Sequence, residues 1–428
     1  MSTKRNIFKN GISSLGFKGV RVLEQLFLIP FFITHWGTDY YGEWLTLTIF
    51  PSILAYTDMG LGSAAANSFV LKYVEGDEQT AANILKTAFR VITFVIAGAL
   101  LVGGLVLMLA FYFGLLKNSL IPINDSIYAL LFMMGAKLLS FYMQLYESNY
   151  RAARKASLGI NLQTLSGIMN VAGGLVVLSM GYGVVAFASV QFIIAIFDNL
   201  LFGRIGLSLT GITKRKKGIY SRVIAKEFFN KGFGYLMNPL WQTILFQGST
   251  FVVRLVLGPT AVTMFNTVRT LSRSVNQMYS VINASIFPEL QFEIGIGNFL
   301  KAKNILIKAM KITGGLAITG FLALAVVGLP IYNWWTKNEL DPPYMMWLIF
   351  VLATSINAVW WTTESVFRAT NQPYIMSVPG VIFAILALVV TYLGCINFSI
   401  TGAAVGALVF EIGMAIYVMP KSLKLFEK

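Results

Sequence analysis

Between two apolar stretches, "FVVRLVLGPTAVTMF" and "MYSVINASIFPEL", the chain carries the polar run "NTVRTLSRSVNQ" at 266–277. Asn266, Arg269, Arg273, Asn276 (or Gln277) and Ser280 follow three- and four-residue steps, which on a helix form one stripe. Arg269 and Arg273 are then neighbours. Guanidinium meets phosphate oxygens two hydrogen bonds at a time, so this spacing suits a pyrophosphate or an acidic sugar. The other reading of the pair is structural, with each arginine neutralised by an acid on another span.

Three more cations fall inside or at the ends of apolar segments. Arg254 either joins the same site or snorkels outward. Lys137, in "LLFMMGAKLLSFY", faces a cavity or pairs between helices, and Arg21 is an interfacial anchor or a ligand contact. Two acids accompany them, Glu24 and Asp58. A carboxylate at membrane depth holds a proton or a sodium ion and so couples transport to a gradient, or it balances the arginines. Glu147 with Arg151 and Glu364 with Arg368 are i,i+4 pairs that stabilise helix ends, and Asp198 and Glu411 read as structural.

Enzyme chemistry is disfavoured. One histidine (His35) and one cysteine (Cys395) cannot make a zinc cluster. No phosphate-binding Gly-Lys loop exists for ATP. The pattern calls for no cofactor.

The elements that must position these residues are set by composition. Hydrophobic residues make up 56% of the 428 and charged ones 12%, with a mean hydropathy of +0.70. Soluble domains carry about 25% charge. The chain is therefore an all-α integral membrane protein, its apolar runs being too continuous for a barrel. Each crossing takes ~20 apolar residues. The predicted spans are 18–36, 43–70, 84–114, 126–150, 157–179, 183–206, 228–257, 259–288, 305–334, 344–368, 374–394 and 399–420. Pro30, Pro51, Pro239 and Pro379 fall within them as candidate kinks.

Charge fixes the orientation. With both termini in the cytoplasm, only Lys117 and Lys337 fall outside, and Lys137, Arg254, Arg269 and Arg273 lie within spans. Every other cation is then cytoplasmic, as membrane insertion prefers. The net charge of +15 is thus an orientation signal, not the footprint of nucleic acid. The first residues read as a basic lead-in to span 1, without a cleavable signal.

The halves repeat. At a displacement of 221 positions Gly37 meets Gly258, Gly76 meets Gly297, and "NIL" at 83–85 meets "NIL" at 304–306. At a displacement of 217, "ESNYRA" (147–152) meets "ESVFRA" (364–369). The organisation is a six-helix bundle over 1–212, a basic cytoplasmic linker over 213–231, and a second six-helix bundle over 232–428. The linker "TKRKKGIYSRVIAKEFFNK" either contacts anionic headgroups or serves only topology.

The N-terminal half contains "PFFITHWGTDYYGEWLTLTIFPSILAYTDMGLGSAAANSF" and then "EGDEQTAANIL". A first span ending in Gly, Tyr-Gly-x-Trp, Asp-x-Gly-Leu-Gly and a Gly-Asp turn follow in order. This pattern resembles the O-antigen and capsular polysaccharide flippases of the multidrug/oligosaccharidyl-lipid/polysaccharide exporter superfamily. The resemblance implies two pseudo-symmetric bundles in a V, with spans 1, 2, 7 and 8 lining the cavity. It implies a flippase of the bacterial cytoplasmic (inner) membrane, acting in polysaccharide or lipopolysaccharide biosynthesis. Its substrate would be an undecaprenyl-pyrophosphate-linked oligosaccharide, with membrane lipids as neighbours and H+ or Na+ as coupling ion. The competing reading within the same fold is an ion-coupled drug/cation antiporter, which two arginines in the cavity would oppose.

Overall fold

Long runs of Leu, Ile, Val, Phe and Ala leave the backbone no water to bond, and only helices satisfy every amide internally. A computed structural model describes residues 3–112, 119–295, 297–370 and 374–426, and among these there is no strand. Lys117 lies outside them. The helices are α1 (Thr3–Leu47), α2 (Ile49–Leu54), α3 (Leu61–Val74), α4 (Glu78–Tyr112), α5 (Ile123–Ala152), α6 (Ala156–Ser179) and α7 (Val184–Thr210). There follow α8 (Ile212–Arg215), α9 (Arg222–Leu257), α10 (Pro259–Arg273), α11 (Asn276–Gly295), α12 (Phe299–Trp335), α13 (Tyr344–Ala369) and α14 (Tyr374–Lys424). Eight helices among the described residues are long and apolar enough to cross a membrane. Counting α14 as two arms, and adding the spans built by α1–α3 and by α10–α11, the fold has twelve crossings.

The chain forms two compact units, Met1–Leu236 and Met237–Lys428, with the boundary inside α9. In the first, α5 packs on α7, α1 on α6, and α3 on α4 and α5. Its core gathers Phe69, Leu85, Ile92, Leu138 and Leu145. In the second, α13 packs on α12 and α14, around Trp241, Trp360, Phe367, Phe410 and Met414.

Two of the bends occur at residues other than the nearby candidate prolines. Helix α1 leaves helical geometry at Gly37 (φ 78°, ψ 167°) and not at Pro30. The repeat-related Gly258 has φ 88°, ψ −178°, just before α10. That combination is open essentially to glycine alone, so both halves turn between their first and second spans by the same device. Helix α14 bends at Phe398 and Ser399 and not at Pro379. Its arms, 374–397 and 400–424, meet at Gly394 and Gly402, where a Cβ on either residue would collide with the other's backbone.

The second span of each half is broken. In the first unit α2 gives way to a 3-10 turn (Ala55–Asp58) before α3. In the second, α10 stops at Arg273 and α11 begins at Asn276, so the expected continuous helix over 259–288 is two pieces. At the break Ser272 and Ser274 donate their hydroxyls to the Arg269 and Leu271 carbonyls, competing with the helix ladder. The Ser274 and Gln277 amides then bond three residues back, to Leu271 and Ser274.

A short turn joins α3 to α4. Asp77 caps α4 by accepting from the Thr80 amide at 3.0 Å, which holds its carboxyl below the usual range. A hydrogen bond of 2.7 Å to Glu75 pushes the Lys72 ammonium up.

Candidate functional site

On α5, Met133, Ala136, Lys137, Ser140 and Met143 recur at three- and four-residue steps, while Leu130, Met134, Leu138, Phe141 and Leu145 lie buried. The first stripe lines a cavity of about 560 Å³ within the first unit. The rest of the wall comes from α1 (Phe17, Arg21, Glu24), the start of the second span (Thr48, Pro51, Ser52), α6 and α7. Three residues singled out by charge alone, Arg21, Glu24 and Lys137, are thus brought together.

Their surroundings differ. Arg21 reaches Glu24 at 3.4 Å, with its side chain 62% exposed, and stacks over Phe17. Lys137 is half-buried, and its ammonium has no hydrogen-bond or ion-pair partner among the described residues. Asp198 accepts from the Ser166 hydroxyl. Amides fill in between: Gln163, Asn170, Gln191 and Asn199 all line the cavity. Asn199 donates its Nδ2 to the Ala195 carbonyl at 3.3 Å, and its buried Oδ1 has no partner among the described residues. The arrangement can hold an anion at Lys137 and Arg21 and hydroxyl groups along the amides.

Arg269 and Arg273 lie in the second unit and are both engaged by protein groups. Arg269 donates to the Phe246 carbonyl and the Ser249 hydroxyl at 3.1 Å each, to the Thr250 hydroxyl at 3.1 Å, and to the Asn266 amide oxygen. It also lies over the Phe246 and Phe265 rings. Arg273 pairs with Glu411 at 3.0 Å, and Glu411 is 1% exposed. The other Glu411 oxygen accepts from Asn357 at 2.9 Å and from Trp360 at 2.7 Å. Asn276 extends the chain by donating to Asn357 at 3.1 Å. The space left beside the arginines is only about 10 Å³.

Arg254 is half-buried at the last turn of α9. Asp58 is 5% exposed and accepts from the Gly62 amide at 3.2 and 3.4 Å; no cation pairs with it among the described residues. The two pairs Glu147–Arg151 and Glu364–Arg368 are present, at 3.9 and 3.0 Å.

The two acids read as structural take specific places. Asp198 lines the cavity, and Glu411 is the acid that meets Arg273. Both sit inside apolar runs, Glu411 in "ALVFEIGMAIYV". The argument that flags an arginine at membrane depth flags an acid there too.

No protein-family model matches the chain, and no curated protein does. Solved structures do. An inward-facing multidrug resistance MATE family transporter of the MOP superfamily superposes with TM-score 0.79 at 14% identity, over 95% of this chain and 94% of that one. Lipid II flippase MurJ, in an inward closed conformation, gives TM-score 0.70 at 14% identity over 97% and 89%. The fold is theirs. The Vibrio cholerae MATE transporter VcmN in its bent form follows at TM-score 0.62 and 15% identity, over 99% of this chain and 97% of that one. Both kinds of neighbour are transporters by name, so the fold accommodates either of the two readings the sequence left open.

Proposed function

We propose that the chain is an alternating-access flippase for an undecaprenyl-pyrophosphate-linked oligosaccharide. The observation that carries this reading is the ammonium of Lys137, unpaired among the described residues, in the first unit's cavity, with Arg21 on the same wall. A cation left without a counter-charge at membrane depth is costly unless something supplies the charge, and a pyrophosphate does. The amide-rich remainder of the wall suits sugar hydroxyls. Polyprenyl chains need no protein cavity, since lipid solvates them. Asp58, buried without a cation, is the coupling group for H+ or Na+ in this reading, and Glu24 tunes Arg21. Arg269 and Arg273 hold the second unit together, with Asn266 beside them.

The test is transport of a labelled undecaprenyl-pyrophosphate oligosaccharide in proteoliposomes. Wild type is expected to flip it, and Asp58→Asn to bind it without gradient-driven movement. Absence of transport by folded wild-type protein would sink the proposal.

A second reading draws on Glu24 and Asp198 in the same cavity and on the MATE neighbours: an ion-coupled antiporter of cationic drugs. Efflux of a cationic dye from the same proteoliposomes, lost in Asp198→Asn and kept in a Lys137→Gln variant, would favour it.

A further inference from the structure

The segment between α7 and α9 is built into the first unit as a strap. Gly211 ends α7 with a left-handed φ of 60°, and α8 is a single turn. The chain then runs along the first turns of α4, touching it at each turn. Arg215 pairs with Glu78 at 2.9 Å and donates to the Thr210 carbonyl at 2.6 Å. Gln79 donates to the Lys217 carbonyl at 3.3 Å. The Ile219 amide donates to Asn83 at 2.8 Å, the Ser221 amide to buried Thr87 at 3.0 Å, and Arg90 lies over the Tyr220 ring. Gly218 presses against the Ala82 carbonyl so closely that a Cβ there would collide with α4's backbone. Such contacts fix the strap's path far beyond what a topological spacer needs.

Among the described residues its outer face has no protein partner. Lys214, Lys216, Lys217 and Arg222 are exposed, and none has a hydrogen bond or ion pair from its side chain among the described residues. Between them Ile219 is 67% exposed and Val223 79%. The depth of this face follows from α4. Gln79, Asn83, Lys86 and Arg90 make its first turns polar, and the apolar run starts at Val91. The strap therefore lies where a membrane's headgroups meet its acyl chains.

We infer that the strap is a preformed docking surface for anionic phospholipid headgroups. Four cations meet the negative leaflet, and Ile219 and Val223 enter the acyl boundary. A single Lys or Arg near such a surface strengthens binding roughly fivefold, and a fixed backbone removes the ordering entropy a loose loop would lose. The surface is separate from the cavity and stands whether or not the transport proposal does.

The test uses full-length protein with Cys395→Ser and a fluorescent donor on Thr213→Cys, an exposed strap position outside the docking residues, in nanodiscs. Energy transfer to labelled phosphatidylglycerol is compared with transfer to labelled phosphatidylcholine. Wild type is expected to enrich phosphatidylglycerol, less so at high salt. Changing Lys214, Lys216, Lys217 and Arg222 to Gln together is expected to remove the preference. Gly218→Ala keeps every charge and dislodges the strap, so it is expected to lower the preference several-fold. An unchanged preference in either variant, or none in wild type, overturns the inference. Displacement of the lipid signal by millimolar inorganic pyrophosphate overturns it in favour of a soluble anion.

Discussion

At repeat-related positions the first unit has a cavity and the second has two arginines. Thr48 and Ser52, displaced by 221 positions, meet Arg269 and Arg273; Met133, Ala136 and Lys137, displaced by 217, meet Phe350, Ala353 and Thr354. All ten residues line one pocket or the other, the first holding about 560 Å³ and the second about 10 Å³. The same backbone therefore yields a hollow or a plug according to which side chains stand on the second span. Cation balance differs as well. The plug's Arg273 has its own acid, while Lys137 in the hollow has none among the described residues. A repeat can thus fill one half with side chains and leave the other hollow.

The largest effect should come from unbalancing the plug. Glu411→Ala strands Arg273 and removes the acceptor of Asn357 and Trp360. Breaking a buried pair costs about 3–5 kcal/mol, which thermal unfolding in detergent will read as a marked drop in Tm. Arg273→Met combined with Glu411→Leu should recover most of it, since matched apolar replacement of such a pair is near neutral. If that double variant still flips substrate, the plug is structural. If it folds and does not flip, Arg273 returns to the headgroup and the comparison breaks.

Next in size is Lys137→Gln in the hollow. A charge-assisted contact is worth ~1.5–3 kcal/mol, so substrate affinity should fall roughly ten- to hundred-fold. Tm should not move, and Lys137→Arg should restore binding in part. Equal affinity in all three proteins would remove the anion site.

Asn199→Ala deletes one neutral acceptor from the wall. A loss of ~0.5–1.5 kcal/mol predicts a two- to ten-fold weaker hold on the saccharide, with binding of inorganic pyrophosphate unchanged. A parallel fall in both would mean the amide shapes the cavity and does not touch sugar.

The smallest effect belongs to Arg21→Gln. Its pair with Glu24 is 62% exposed on the arginine side, and exposed pairs contribute under about 1 kcal/mol. Stability should change within error at moderate salt, so any loss of transport reports substrate contact.

What sequence reveals of this follows from range. The spans are legible because their apolar runs are continuous, and the turns after the first span of each half are legible because Gly37 and Gly258 recur in register. The break between α10 and α11 was not, because serines that turn back on their own helix, as Ser272 and Ser274 do there, also stand inside unbroken α13 at Ser355 and Ser365. The partner of Arg273 was not either: Glu411 stands 138 residues away, and nothing local distinguishes it from Glu24 or Asp58. The cavity was hidden for a different reason. Lys137 and Arg21 are visible as charges, but a hollow is made by what is small, and Thr48 and Ser52 draw no attention until they are set beside Arg269 and Arg273.

The closing hairpin of the chain bears on how the molecule is made. Gly394 and Gly402 let the arms of α14 touch backbone to backbone, and in lipid such close packing of small residues is what holds helices together. This contact lies wholly within the last 51-residue helix. The hairpin can therefore close as soon as its own residues have entered the bilayer, without waiting for the rest of the bundle. The hairpin then docks as a completed piece, and an error at either glycine would be felt in its own closure, before it meets its neighbours.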